Sequence, residues 1–167
     1  NNLIDIKEDG TFRLDMSYFK YHRGFRMTSK KFHNLFKSLP REKNAKITQF
    51  YMDIAASIQS VTEEIVLKLV ISLKKETGLS NICLAGGVAL NCVANGKILH
   101  EKIYKDIWIQ PASGDAGTSI GGALFAYYEY FTNTRKIHSQ DSMKGSYLGP
   151  KFSNEDIINY LNSINAC

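Results

Sequence analysis

Apolar positions along the chain group into segments whose spacing changes from one stretch to the next. Ile4–Ile6 and Thr11–Leu14 flank Glu8-Asp9-Gly10, and the Asp-Gly pair between two short apolar runs predicts a hairpin. Phe32, Leu35 and Phe36 recur at helical spacing, which predicts the buried side of a short helix starting at Thr28 or Ser29. Beyond Pro40, a stripe of Ile47, Tyr51, Ile54, Ile58, Val61, Ile65 and Leu69 predicts a helix from near Ala45 to Thr77. Gly78 is its expected C-cap. A break within Ser57–Thr62, with Ser60 or Thr62 capping a second helix, is the alternative division of that stretch.

After Gly78 the chain reads as strand, glycine loop and helix, twice over. Asn81–Leu84 is a short buried strand, Ala85-Gly86-Gly87 a tight turn, and Val88–His100 a helix. Asp106–Gln110, the loop Pro111–Gly117 and the apolar helix Thr118–Phe131 repeat the order. Such alternation predicts an α/β fold with parallel strands joined by a crossover helix. Asn133–Lys144 is a polar connection, Gly145–Gly149 a loop, and Ser153 the N-cap of a last helix from Asn154 to Leu161.

Composition narrows the classes. At 167 residues and 44% hydrophobic, the chain has the size and apolar share of one globular domain. No apolar run approaches the roughly 20 residues of a membrane-spanning helix, so an integral membrane protein and a membrane partner are excluded. Three cysteines without C-x-x-C spacing argue against a disulfide scaffold or zinc ribbon and for a reducing, cytoplasmic setting. The chain opens on Asn1 with no leader, so it is expected to be a piece of a longer polypeptide.

The net charge of +5 is concentrated between Lys20 and Lys46, where only Glu42 is acidic and Tyr18, Phe19, Tyr21, Phe25, Phe32 and Phe36 are interleaved. That mixture suits single-stranded nucleic acid or a solvated amphipathic segment. No nucleic-acid-binding motif accompanies it, so the amphipathic segment is expected and nucleic acid is not an expected partner.

Candidate chemistry lies in the two glycine loops, at the strand ends where open α/β sheets bind ligands. Neither matches the dinucleotide fingerprint or the phosphate-binding P-loop. Each serves equally as a ligand cradle or a steric turn. Asp115, within Ser113-Gly114-Asp115-Ala116-Gly117, is either the cap of the following helix or a metal ligand bridging to an anion. Asn91 and Asn95 lie four apart, on one helix face, as hydrogen-bonding groups or as part of a turn at Asn95-Gly96. Cys83 reads as a small core residue. The histidines His22, His33, His100 and His138 share no ligand spacing and read as surface residues.

Four runs of residues resemble the O-carbamoyltransferase family, which acts on nodulation factors, cephalosporins and aminoglycosides. They are Asp9–Phe19 (DGTFRLDMSYF), Asp53–Glu64 (DIAASIQSVTEE), Asn81–Lys97 (NICLAGGVALNCVANGK) and Trp108–Gly117 (WIQPASGDAG). The resemblance implies one lobe of an actin-like, ribonuclease-H-like ATPase fold. Residues 1–150 would form the second half of the family's N-terminal actin-like domain, and 151–167 the start of the connection to its C-terminal part. It also implies an enzyme using ATP and carbamoyl phosphate to form carbamoyl-adenylate, then passing the carbamoyl group to a hydroxyl acceptor. Gly86, Gly87, Val88, Asn91, Asn95, Gly114 and Gly117 would belong to the nucleotide site. Asp115 would match the family's aspartate ligand to an iron-type divalent metal. The family's upstream paired histidines are absent, so the 167 residues alone are expected to be inactive without the missing lobes. The alternative is a non-catalytic nucleotide-binding module of the actin-like superfamily.

Overall fold

A computed structural model describes residues 2–138, 140–141, 143–147 and 149–166. Ser139 and Ser142 of the predicted polar connection, Leu148 of the predicted loop, and the ends Asn1 and Cys167 lie outside the described residues. The chain divides into two compact units, Asn1–Gly117 and Thr118–Cys167.

The first unit opens with a two-stranded antiparallel hairpin, β1 (Ile4–Ile6) and β2 (Phe12–Leu14), in the register Ile4↔Leu14. Asp9 closes its turn by accepting from the Thr11 amide and hydroxyl at 2.9 and 2.7 Å. α1 (Lys30–Phe36) begins just after the Thr28 or Ser29 start expected of it, because Ser29 is extended and caps the helix. Phe32 and Phe36 are half-buried there, whereas Leu35, expected on the same side, is exposed.

The long helix α2 (Gln49–Thr77) runs unbroken through Ser57–Thr62, and Gly78 ends it in the left-handed conformation. Ser57 and Thr62 turn their hydroxyls back onto the carbonyls of Asp53 and Ile58, four residues earlier. These hydroxyls stay inside the helix and cap no new one. Of the predicted stripe, Ile65 is buried and Tyr51, Ile54 and Val61 are half-buried, while Ile47 and Ile58 are exposed.

β3 (Asn81–Leu84) and β4 (Asp106–Ile109) pair in parallel, from Asn81↔Asp106 to Leu84↔Ile109. Between them α3 (Cys92–His100) is the crossover. A 3-10 turn, Gly87–Leu90, precedes it. The helix therefore begins four residues later than Val88, because Asn91 adopts an extended conformation and caps it.

Val70 of α2, Ile82 of β3, Ile98 of α3 and Tyr104 form the buried core, with Val66, Leu84 and Ile107 packed against it. Tyr104 donates to the Val70 carbonyl at 3.0 Å, which satisfies its hydroxyl. Burial raises the Tyr104 pKa. Cys83 is exposed, contrary to the core position expected of it, because Ile82 and Leu84 on either side take the inward face of β3.

The second unit contains α4 (Thr118–Phe125), a π-helical continuation over Ala126–Tyr130, and α5 (Asn154–Ser163). None of these elements contains a buried residue. The widening to π geometry shortens the α-helix predicted to reach Phe131. α5 carries a capping box in which Ser153 and Asp156 bond each other's backbone amides. No helix among the described residues is long and apolar enough to cross a membrane.

Candidate functional site

Parallel pairing of β3 and β4 brings both glycine loops to the same edge of the sheet, at the strands' carboxyl ends. Gln110 extends the ladder by donating its amide to the Leu84 carbonyl at 3.3 Å. The Gly86 amide then donates to the Ser113 carbonyl at 2.8 Å, so the loops are tied to each other. Gly86 has φ +97°, which a residue with a Cβ adopts only under strain.

The second loop is equally tight. The Gly117 amide donates to the Gly114 carbonyl at 3.0 Å, and a Cβ on Gly117 would overlap the Ala112 carbonyl oxygen. Ser113 is 7% exposed, and its hydroxyl is buried with no hydrogen-bond partner among the described residues. Leaving a buried hydroxyl unpaired costs about 1–3 kcal/mol. The joint between the loops therefore holds an unused polar group.

Asn91 and Asn95 both bond within the protein. The Asn91 side chain accepts from the Ala94 amide at 3.1 Å, capping α3. It also exchanges two hydrogen bonds with the Gln59 amide of α2, at 2.9 and 3.2 Å. Asn95 donates to the Ala89 carbonyl at 2.7 Å and so braces the 3-10 turn of the first loop. Val88 in that turn is exposed, as are Gly86 and Gly87.

Behind Asn91, Gln59 also donates to Glu63 at 2.8 Å, and Lys97 of α3 reaches the other Glu63 oxygen at 3.4 Å. The Gln59 amide first, and Lys97 second, hold the Glu63 carboxyl below its ordinary pKa. Sequence reasoning singled out none of Gln59, Glu63, Lys97 or Ser113. The four-residue spacing of Gln59 and Glu63 within Asp53–Glu64 was the available signal for the first two.

Asp115 is exposed at the first position of the turn Asp115–Gly117. Among the described residues no group of three or more His, Cys, Asp or Glu side chains could hold a metal ion. The donor set of the described residues therefore does not by itself fit a metal centre. His33, expected at the surface, is half-buried with its ring nitrogen 2.9 Å from the Thr28 hydroxyl, while His22, His100 and His138 are exposed.

A family model described as the carbamoyltransferase N-terminus matches residues 1–124, a span that includes both glycine loops and all of their partners named above. The chain belongs to the carbamoyltransferase family. Over 161 residues it is 56% identical to the uncharacterized protein sll1178 of Synechocystis sp., covering 96% of this chain and 26% of that protein. Nodulation protein NolO of Bradyrhizobium diazoefficiens is 38% identical over 115 residues, 69% of this chain and 20% of NolO. Nodulation protein NolNO of Sinorhizobium fredii is 38% identical over 109 residues, 65% of this chain and 16% of its own length. The carbamoyltransferase-family chain thus spans about a quarter or less of these relatives.

Proposed function

We propose that the full-length protein is an ATP-dependent O-carbamoyltransferase that moves a carbamoyl group from carbamoyl phosphate, through carbamoyl-adenylate, to a hydroxyl of a small-molecule or glycan acceptor. Within it, this chain would be part of an actin-like lobe and would contribute one wall of the nucleotide site. The family assignment supports the transferase reading. The observation that carries the nucleotide assignment is the bond from Gly86 to Ser113, which fastens two glycine loops together at one sheet edge.

The residues fit a nucleotide in a specific sense. Exposed Gly87 and Val88 let phosphate oxygens approach the backbone, and the unpaired Ser113 hydroxyl supplies a donor at the joint. Asn91 and Asn95 would position that backbone through Gln59 and Ala89, beyond any contact of their own. When bound, ATP would supply the adenylyl group of carbamoyl-adenylate, with pyrophosphate leaving, and this chain would help to hold and orient it. Asp115 would give a single carboxylate to an iron-type divalent metal, with the remaining ligands supplied by other parts of the polypeptide. For that reason the 167 residues alone should neither transfer carbamoyl groups nor retain metal.

Binding of a fluorescent ATP analogue to the full-length protein tests this reading. Gly117→Val should abolish saturable binding, because the side chain would displace the Ala112 carbonyl, while Val88→Ala should preserve it. Undiminished binding by Gly117→Val would remove the loops from the nucleotide site. In the same protein, Asp115→Ala should lower bound metal and leave the fold intact. Unchanged metal content would return Asp115 to a helix-capping role.

A further inference from the structure

The basic stretch Lys20–Lys46 holds a cavity of about 540 Å³ with Arg26, Thr28, His33, Arg41 and Glu42 in its walls. An apolar recess of about 190 Å³ shares the Thr28, His33 and Arg41 walls and is lined by Phe32, Phe36 and Tyr51. The rings of Phe32 and Phe36 lie 4.7 Å apart at 43°, forming a tilted aromatic surface.

Cationic groups at the mouth are arranged for use. Arg41 donates one guanidinium nitrogen to the carbonyls of Lys43 and Ala45, which fixes its orientation and leaves its other N–H groups for a further acceptor. Arg26 is exposed and forms no ion pair among the described residues. Thr28 and His33 are bonded to each other at 2.9 Å, and add a hydroxyl and an imidazole to the same wall. Glu42 is the one carboxylate present, so two guanidiniums face one opposing charge. Planar guanidinium forks suit phosphate and carboxylate, and the adjoining aromatic surface suits a ring.

We propose that this two-part cavity binds a small organic anion, its phosphate or carboxylate held by Arg26 and Arg41 and its apolar ring seated against Phe32 and Phe36. The site is independent of the nucleotide loops and does not rest on the carbamoyl-transfer reading. Solvated lysines alone, or a single-stranded nucleic acid lying along the whole stretch, would give no preference for a ring-bearing anion and no special dependence on these two arginines.

Calorimetric titration of the chain at low salt with phenyl phosphate and with inorganic phosphate tests it. The expected result is one saturable site that takes phenyl phosphate at least about tenfold more tightly, from burial of the ring. Arg26→Gln and Arg41→Gln should each weaken phenyl phosphate about tenfold or more through loss of a charge-assisted contact. Phe36→Ala should erase the preference over inorganic phosphate without weakening the latter. Lys46→Gln, outside the cavity, should change nothing. Equal affinity for the two probes, or equal losses from Lys46→Gln and Arg26→Gln, would show a diffuse basic surface and overturn the proposal. Retained far-ultraviolet circular dichroism in each variant separates loss of binding from loss of fold.

Discussion

Asn91 shows what single residues in the loops are for. Its side chain caps α3 and at the same time pairs with Gln59 on α2, so one amide fixes the helix start and its docking. Asn91→Ala should lower stability by about 1–2 kcal/mol in urea unfolding, from a lost cap and a stranded Gln59 amide. Asn91→Asp should cost less, since a carboxylate still caps. Equal losses in the two variants would mean that the cap is not the larger contribution. Ile98, fully buried in the core, should lose about 2–5 kcal/mol on truncation to Ala. Gly86 and Gly117 were legible in the sequence because a positive φ at the first and a close backbone approach at the second both disfavour a Cβ. The partners Gln59 and Ser113 were not, because a partner across elements depends on packing that no local pattern encodes.

Among the elements, α5 has a stability that can be followed by pH. The Ser153 hydroxyl, followed by the Ser153 amide, holds the Asp156 carboxyl below its ordinary value. A depressed carboxyl stabilises the helix above the unfolded value of about 3.9, and the contribution is lost as pH falls through the folded value. Amide protection in α5 should therefore drop on acidification below about pH 4. In Asp156→Asn that step should be absent, and an identical pH profile in the variant would contradict the capping box as its cause. Strand pairing, the hairpin and the caps at Gly78 and Ser153 followed from turn chemistry and periodicity. Burial along α2 followed only in part. A period of three to four residues reports an apolar face, and the exposed Ile58 and Leu69 show that part of this face is not covered by the described residues.

Large apolar side chains are exposed in both units of the chain. Trp108, Leu124, Phe125 and Tyr130 are all more than 45% exposed, at 51%, 49%, 66% and 77%. The 167-residue chain should accordingly bind the dye ANS strongly, and the full-length protein should bind it weakly per molecule. Equal dye binding by both would mean that these side chains stay exposed in the longer protein. The central claim is that the joined glycine loops help to bind the nucleotide that a carbamoyltransferase uses. Its most direct test is independent of the acceptor: exchange of labelled pyrophosphate into ATP, catalysed by the full-length protein in the presence of carbamoyl phosphate. Exchange that requires carbamoyl phosphate, is lost in Gly117→Val and is absent for the 167-residue chain is the predicted result. Exchange that survives Gly117→Val, or a full-length protein that shows none, would contradict it.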